Sequence, residues 1–359
     1  MASRTHHLAA CATCLALALP AQSQETPSKF PDAADLRAAI EAFDIPGVAM
    51  ATIEGCVPGE VVTVGTADYA TGAPVTERTA FEAASLTKPV FAWIVMSLVN
   101  EGAIDLDRPI AERFAYPRIP DAEGYVLLTP RMILTHRTGL PNWVNEGTDF
   151  HDRTAPIPFE APPGTAFSYS GEAFQLLQAF VEQETEQTLQ ALFQNRLGDV
   201  MPNSALQRPL PGTVDPSRAY QSARAPGAGR GMDNVYNRAM AASSLATTAG
   251  DYARFLAHVC SGGGLRADLM AEMLRPQSPA PPEVIRIGDG PMPPPVSWGL
   301  GWMIIDLGDE TLAGHGGSND EYNAFGGFVQ ESGDGLVLMT NGANGERMIE
   351  ALLLSGSER

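Results

Sequence analysis

The first feature of this chain with chemical meaning is a serine followed three residues later by a lysine, Ser85 and Lys88. The chain has only two lysines, and its other 21 basic residues are arginines. Arginine stays protonated at any accessible pH, so an amine that must accept a proton has to come from lysine. A serine hydroxyl becomes a nucleophile when such a base lies within hydrogen-bond reach. The pair therefore predicts an activated serine.

The structural alternative for this pair is a serine that caps a helix and a lysine whose charged end reaches solvent. Residues i and i+3 share one face of a helix, so both interpretations place Lys88 beside Ser85. In the catalytic interpretation, the helix N-terminus adds backbone N–H groups and a positive dipole end next to the serine. Burial would make the lysine a base by lowering its affinity for protons. Other motifs must decide between the two.

A second motif is the aromatic segment Phe167-Ser168-Tyr169-Ser170-Gly171, which follows a Pro-Gly turn at 162–165. This turn, and a helix predicted to begin at Gly171, would hold Tyr169 in one orientation. A phenol can transfer protons when a nearby cation lowers its pKa, and Lys88 is a candidate cation. The alternative is a tyrosine that is simply packed in the core.

The third motif is Gly314-His315-Gly316-Gly317-Ser318, at the start of a predicted strand region. Glycines let a ligand approach the backbone closely, and an N–H at a strand edge can donate to an oxyanion. His315 could add a hydrogen bond or a positive charge. The alternative is a glycine turn with an incidental histidine.

The hydrophobic pattern places strands near both ends of the chain and helices between them. The predicted strands are Gly47–Glu54, Val61–Ala67, Leu300–Ile305, Ala324–Val329 and Leu336–Thr340. The predicted helices are Asp35–Phe43, Leu86–Asn100, Thr129–Leu134, Gly171–Gln183 and Glu346–Leu354. Ser85 therefore stands at the mouth of an apolar helix.

This distribution predicts an α+β fold in which one sheet is assembled from both ends of the chain. Residues 31–105 would form the first part of the α/β lobe and residues 245–359 the second part. Residues 106–244 would form a helical lobe inserted between them, with Ser85 at the lobe boundary.

The N-terminus predicts export from the cytoplasm. Residues 1–23 have a polar start, an apolar run from Leu8 to Leu19 and small residues at Ala21 and Ser23, as in a secretory signal peptide. The apolar run is too short to span a bilayer. We therefore expect a secreted or periplasmic protein that is not inserted in the membrane once the signal is removed.

The charge balance excludes some partners. Lys and Arg number 23 against 42 Asp and Glu, which gives a net charge of −19. A surface this acidic argues against binding to nucleic acids or to anionic membranes. The sequence also lacks a Gly-x-Ser-x-Gly elbow, a His-Glu-x-x-His zinc motif and a phosphate-binding Gly-Lys pair. The expected partner is a small ester or acyl substrate.

Two cysteines, Cys56 and Cys260, remain after removal of the predicted signal. An oxidising compartment permits a disulfide between them. Two buried free thiols are the other interpretation, and the sequence leaves both open.

Taken together, the three motifs resemble those of the penicillin-recognising serine hydrolases, in which Ser-x-x-Lys is followed by two partner motifs. Their order is similar to that of the class C-type branch, which includes class C β-lactamases, D-alanyl-D-alanine carboxypeptidases and family VIII carboxylesterases. Further stretches with the same order are Ile45–Val48, Leu134–Pro141 and Trp298–Trp302. The resemblance extends from about residue 33 to about residue 355.

By this resemblance, Ser85 is the acylated nucleophile, and Lys88 and Tyr169 share the proton transfers. The backbone N–H groups of Ser85 and Ser318 would form the oxyanion hole. The implied fold is an antiparallel sheet flanked by helices, beside an all-helical lobe. No metal or cofactor is implied.

The substrate side implied by the resemblance is lined by His315, Gly316 and Gly317. Arg347, after the last strand, is a candidate positive charge for a substrate carboxylate.

Two departures from the class C pattern bear on the substrate. Class C enzymes have Tyr-x-Asn, whose amide holds the acylamino carbonyl of the substrate, whereas this chain has Gly171 in the third place. Lactamases have a lysine for the substrate carboxylate where this chain has His315. With a reference pKa of about 6.5, a histidine is mostly neutral at pH 7.

These departures favour a serine hydrolase that acts on small esters through an acyl-enzyme. A D-alanyl-D-alanine carboxypeptidase or a class C-like β-lactamase is the alternative among enzymes. A binding protein that keeps the fold without catalysis is the alternative outside them.

We expect a fluorophosphonate to add to Ser85 of the wild type and not to a Ser85→Ala variant, because only an activated hydroxyl attacks phosphorus. Intact-mass spectrometry measures the adduct. Equal masses for treated and untreated wild type would contradict the catalytic interpretation and favour the binding protein.

Overall fold

The computed structural model of the protein describes residues 29–144, 154–232, 236–282 and 294–356. The predicted signal segment 1–23 lies outside these residues. In chain order, the strands are β1 Gly47–Glu54, β2 Val57–Asp68, β3 Ala73–Pro74, β4 Thr79–Glu82, β5 Asp215–Pro216, β6 Arg218–Ala219, β7 Arg230–Gly231, β8 Ala246–Thr247, β9 Ser278–Pro279, β10 Val296–Trp298, β11 Met303–Asp306, β12 Thr311–Asn319, β13 Tyr322–Val329 and β14 Gly335–Thr340.

The α-helices are α1 Ala33–Phe43, α2 Thr87–Asn100, α3 Ala122–Tyr125, α4 Pro130–Leu134, α5 Gly171–Thr185, α6 Leu189–Leu197, α7 Ala249–Cys260, α8 Ala267–Leu274 and α9 Gly345–Gly356. Two short 3₁₀ turns occur at Ala84–Leu86 and Ile110–Glu112.

One nine-stranded sheet joins the two ends of the described chain. Its strand order is β3-β2-β1-β14-β13-β12-β11-β10-β9, and its pairings are antiparallel. The two ends meet where β1 pairs with β14, with Val48 opposite Thr340. This arrangement confirms the predicted α+β fold with one sheet built from both ends of the chain.

Helices cover both faces of the sheet, because successive side chains of a strand point to opposite faces. Along β1, Val48 and Met50 belong to a buried cluster with residues of α1 and α9. Ala49 and Ala51 face the other way, into the larger core that contains α7 and α2. The candidate nucleophile lies on this second side of the sheet.

Helix α2 is buried around its whole circumference, since every residue from Thr87 to Leu98 is buried. A helix that is apolar all round must lie inside the protein. Lys88 is in its first turn and is therefore placed in the core. Among the described helices, α2 included, there is none long and apolar enough to cross a membrane.

Between α2 and α7 the chain forms α3, α4, α5 and α6 together with long loops and four short strands. Two of these short strands position the segment that leads to Ser85, because β4 pairs with β5 on one side and with β8 on the other. The lobe boundaries at 105/106 and 244/245 stay a prediction.

The strand that carries the third motif was not predicted in full. The motif was placed at the start of a strand region, but it lies inside β12, which runs from Thr311 to Asn319. Glycine has low β-propensity, so the sequence pattern is weak there, and pairing with β13 along the whole strand stabilises it instead.

The predicted strand Leu300–Ile305 is displaced toward its C-terminal end and is observed at Met303–Asp306. Gly301 interrupts it with a left-handed φ of 79°. A side chain at this position would collide with Ala92 of α2. The chain therefore turns beside α2 before the strand begins.

Cys56 and Cys260 form a disulfide, with their Cα atoms 5.4 Å apart. It joins the β1–β2 turn to the last residue of α7 across a sequence separation of 204 residues. Of the two alternatives that the sequence left open, the structure has the bonded one.

Replacing both cysteines by serine should lower the free energy of unfolding by about 2–4 kcal/mol, because the crosslink restricts the unfolded chain. Denaturant unfolding measures this change. Fluorophosphonate labelling should keep its rate, since the disulfide lies at the opposite end of β1 from Ser85. As a control, a reducing agent should destabilise the wild type and leave the double variant unchanged. An unaltered unfolding midpoint for the double variant would contradict this role.

Candidate active site

Ser85 is the middle residue of a 3₁₀ turn, Ala84–Leu86, that leads into α2. It is partly exposed, whereas its two neighbours are fully buried. Ala84 adopts a left-handed backbone with a φ of 49°, a conformation that costs energy for a residue with a side chain and is found at functional sites.

Three hydrogen bonds from buried groups hold this turn in place. The Thr87 hydroxyl donates to the Ala84 carbonyl over 2.6 Å, and the Tyr252 hydroxyl donates to the Leu86 carbonyl over 3.1 Å. The Leu86 N–H donates to the Ala83 carbonyl over 3.0 Å. The serine is thus presented on a rigid support.

Lys88 lies directly beside the serine, and its side chain does not reach solvent. Its Nζ donates to Ser85 Oγ over 3.1 Å and to the Ala242 carbonyl over 3.0 Å. Only 1% of the residue is exposed. Burial lowers the pKa of Lys88 to about 7, so near neutral pH a large fraction of the amine is unprotonated and able to accept a proton.

Tyr169 packs against the same amine. Lys88 Nζ is 4.7 Å from the centre of the Tyr169 ring and 5.5 Å from that of Phe174. Burial raises the pKa of Tyr169, and the hydrogen bond with the Ser85 hydroxyl opposes this only in part. The expectation that Lys88 would lower the Tyr169 pKa is therefore wrong, because desolvation of the phenolate outweighs it. Tyr169 is a neutral phenol at physiological pH.

A residue to which sequence analysis gave no role, His136, supports the tyrosine. Its ring centre is 4.4 Å from that of Tyr169, and it is completely buried. His136 Nδ1 accepts a hydrogen bond from the Ser170 N–H over 3.1 Å, which fixes the loop that carries Tyr169. Burial holds the His136 pKa well below its usual value. Its place in the stretch Leu134–Pro141 was the one available signal.

Strand β12 extends beyond its neighbour β11, and near Ser85 this edge of β12 has no strand partner among the described strands. β11 pairs with β12 only as far as Gly314. The hydrogen bond from the Leu307 N–H to the Glu310 carbonyl sets which residues face β11. Along an antiparallel strand, the backbone N–H groups point alternately to the two sides. Glu310 faces β11, and so does every second residue after it, so the N–H groups of Gly316 and Ser318 point toward the unpaired edge. Within the described ranges, the Ser318 N–H therefore has no strand partner on this edge.

Gly317 allows this edge to lie against the 3₁₀ turn that carries Ser85. A Cβ at Gly317 would collide with the Ala83 carbonyl and would lie 3.2 Å from the Ser85 nitrogen. Only glycine permits so close an approach. At Gly316, by contrast, a Cβ would meet open space. The predicted residues Ser85, Gly316, Gly317 and Ser318 are therefore brought together.

His315 lies under the site and carries no charge at neutral pH. Only 4% of it is exposed, and its Nδ1 is 2.5 Å from the Gly316 carbonyl oxygen. Burial, reinforced by the nearby Lys88, lowers the pKa of His315 to about 3. Its Nε2 is buried and has no hydrogen-bond partner among the described residues. The histidine therefore does not supply a cation to a substrate.

Gly171 is enclosed by an aromatic ring. A Cβ there would be 2.5 Å from Trp143 Cζ2, so the indole fills the space that a side chain would need. The Gly171 N–H donates to Asn142 Oδ1 over 3.0 Å. The tryptophan thus explains why this position has no side chain.

Arg347 is not brought to the site by any described contact. It is exposed in the first turn of α9, a helix that covers the sheet face opposite α2. The structure records no hydrogen bond or ion pair between Arg347 and another described residue.

Sequence analysis also missed the segment Ala242–Ala246, whose backbone hydrogen-bonds to Lys88 and to the residues that flank Ser85. The Ala242 carbonyl accepts from Lys88, and the Leu245 N–H donates to the Thr87 hydroxyl over 3.0 Å. The Leu245 carbonyl accepts from the Ala83 N–H over 2.8 Å. No sequence motif marks this segment, because it acts through its backbone.

Within the described part of the chain, no group of three or more His, Cys, Asp or Glu side chains could hold a metal ion.

Comparison with known proteins supports the resemblance read from the motifs. Esterase EstB of Burkholderia gladioli is 32% identical over 191 residues, which covers 45% of this chain and 48% of the esterase. The chain thus matches about half the length of that relative. Penicillin-binding protein 4 of Amycolatopsis lactamdurans is 26% identical over 323 residues, covering 83% of this chain and 81% of that protein.

The fold is also shared with a solved structure. The octameric penicillin-binding protein homologue from Pyrococcus abyssi superimposes with a TM-score of 0.72 at 19% identity, over 90% of this chain and 76% of that one. The family model described as Beta-lactamase matches residues 34–354. The chain therefore belongs to the Beta-lactamase family and is a serine hydrolase.

Proposed function

We propose that this serine hydrolase is a carboxylesterase that cleaves small neutral esters through an acyl-enzyme on Ser85. The observation that carries the proposal is the buried, uncharged His315 at the position where lactamases have a lysine. Its pKa of about 3 leaves no positive charge there for a substrate carboxylate. The nearby Lys88 amine is also largely neutral above its pKa of about 7.

In the proposed acylation step, the neutral Lys88 amine takes the proton of the Ser85 hydroxyl, and Oγ attacks the ester carbonyl. The carbonyl oxygen becomes an oxyanion that accepts hydrogen bonds from the N–H groups of Ser85 and Ser318. The alkoxide leaves with a proton relayed from Lys88 through the neutral Tyr169. In deacylation, water attacks the acyl carbonyl carbon. The protons move through the same residues in the reverse direction, so that Ser85 regains its proton and the acid is released.

The similarity to esterase EstB supports an ester substrate, and the similarity to penicillin-binding protein 4 supports the alternative of a D-alanyl-D-alanine peptidase or β-lactamase. Those alternatives need recognition of a peptide-like arm and a carboxylate. Gly171 provides no side-chain amide, and Trp143 occupies the adjoining space. The esterase is therefore the better match to the described site.

We also propose that the protein is secreted or periplasmic. The disulfide between Cys56 and Cys260 supports this location, because disulfides persist in oxidising compartments.

Two esters with the same leaving group and acyl length test the substrate class. We expect p-nitrophenyl butyrate to have a kcat/KM at least about tenfold higher than p-nitrophenyl hemisuccinate, whose carboxylate would have to be buried without a counter-charge. Nitrocefin should be turned over more slowly than either. Preference for the hemisuccinate or for nitrocefin would refute the proposal, and Ser85→Ala gives the background rate.

The pH dependence tests the role of Lys88. Since the neutral amine is the base, kcat/KM for p-nitrophenyl butyrate should rise with pH through about 7 and then level off. A Lys88→Arg variant should lose at least about 10³-fold in kcat, because guanidinium cannot give up its proton. Absorbance at the wavelength where nitrophenol and nitrophenolate absorb equally measures product release without interference from the titration of nitrophenol. A flat profile between pH 5.5 and 8.5, or near-normal turnover by Lys88→Arg, would exclude this mechanism.

A further inference from the structure

A polar cluster behind the site links the two segments that carry the proposed oxyanion donors. Asn319 directly follows Ser318, and Glu82 ends β4, three residues before Ser85. Asn319 Nδ2 donates to Glu82 Oε2 over 3.2 Å. The two residues are 237 positions apart in the sequence, so this hydrogen bond directly joins the end of β12 to the entry of the nucleophile turn.

The Glu82 carboxylate is 1% exposed and needs positive partners. Arg230 Nη1 is 3.3 Å from Glu82 Oε1, and Arg230 Nη2 donates to the Asn319 carbonyl over 3.0 Å. The same guanidinium thus binds both ends of the link. A second guanidinium, that of Arg208, lies 4.0 Å from the carboxylate.

The cluster is also connected to the lysine. Asn319 Nδ2 lies 3.3 Å from the Ser243 carbonyl and can donate to it as well. The preceding carbonyl, that of Ala242, accepts from Lys88 Nζ over 3.0 Å. The adjacent carbonyls of Ala242 and Ser243 therefore bind Lys88, the proposed base, and Asn319, the last residue of β12.

We propose that Asn319 and Glu82 are positioning residues that set the separation of the Ser85 and Ser318 N–H groups, an inference that rests on the proposed function. Neither residue is needed to contact the reacting atoms. Oxyanion donors act through their placement on the transition-state oxygen, and a misplacement of about 1 Å can cost about 10²-fold in rate. The hydrogen bond between Asn319 and Glu82 connects the two segments that carry these donors, and it therefore meets this requirement.

Asn319→Ala tests the inference. The variant should lose about 10- to 100-fold in kcat on p-nitrophenyl butyrate while KM stays within about threefold, because the transition state is affected more than the bound ester. Affinity for phenylboronic acid, which forms a tetrahedral adduct with the Ser85 oxygen, should fall by a similar factor.

Asn323→Ala is the matched control. Asn323 is the strand neighbour of Ser318 in β13, is 3% exposed and donates to the Gly342 carbonyl over 3.0 Å. Its removal should lower the thermal unfolding temperature and leave kcat and boronate affinity near wild type. Equal kcat and boronate affinity for the two alanine variants would overturn the positioning role.

If Asn319→Ala does not fold, Glu82→Gln takes its place. It keeps the size of the side chain but removes the charge that Arg230 binds, so kcat and boronate affinity should fall together by about tenfold. Wild-type values for both would overturn the inference. An inactive wild type that fluorophosphonate does not label would instead refute the proposed function, and the positioning role with it.

Discussion

The Lys88 amine lies in a core that gives it two hydrogen-bond acceptors, and no ion pair with a described carboxylate. Water cannot stabilise its charge there, so the neutral amine is populated near pH 7. The rest of the site follows from this constraint. The apolar helix α2 is buried around its first turn, and the turn that carries Ser85 is held by hydrogen bonds from the Thr87 and Tyr252 hydroxyls and from the backbone.

The same desolvation keeps the neighbouring side chains uncharged. His136 and His315 have lowered pKa values, and Tyr169 has a raised one. Above the Lys88 pKa of about 7, a site with so little charge is suited to neutral substrates, and it disfavours a carboxylate that would lose its hydration. The proposed ester specificity is thus a consequence of burial, together with the residue at position 315.

The second constraint is the unequal length of neighbouring strands. β12 continues past the point where its pairing with β11 ends, so part of its backbone has no strand partner in the described part of the chain. Gly317 lets this edge lie against the Ser85 turn. Behind it, the cluster of Glu82, Asn319 and Arg230 joins both donor segments. The proposed oxyanion hole therefore depends on two distant parts of the chain that are joined by polar contacts.

The sequence by itself predicted the candidate reacting groups and determined the fold class. Ser85 and Lys88 are one helical turn apart, so their hydrogen bond follows from local geometry. Alternation and apolar runs predicted β1, β13 and β14. Only the tertiary structure decided the pKa of Lys88, the free edge of β12 and the pairing of the cysteines. Desolvation and long-range hydrogen bonds depend on segments far apart, such as Lys88 and Ala242 at a separation of 154 residues, which no local pattern records.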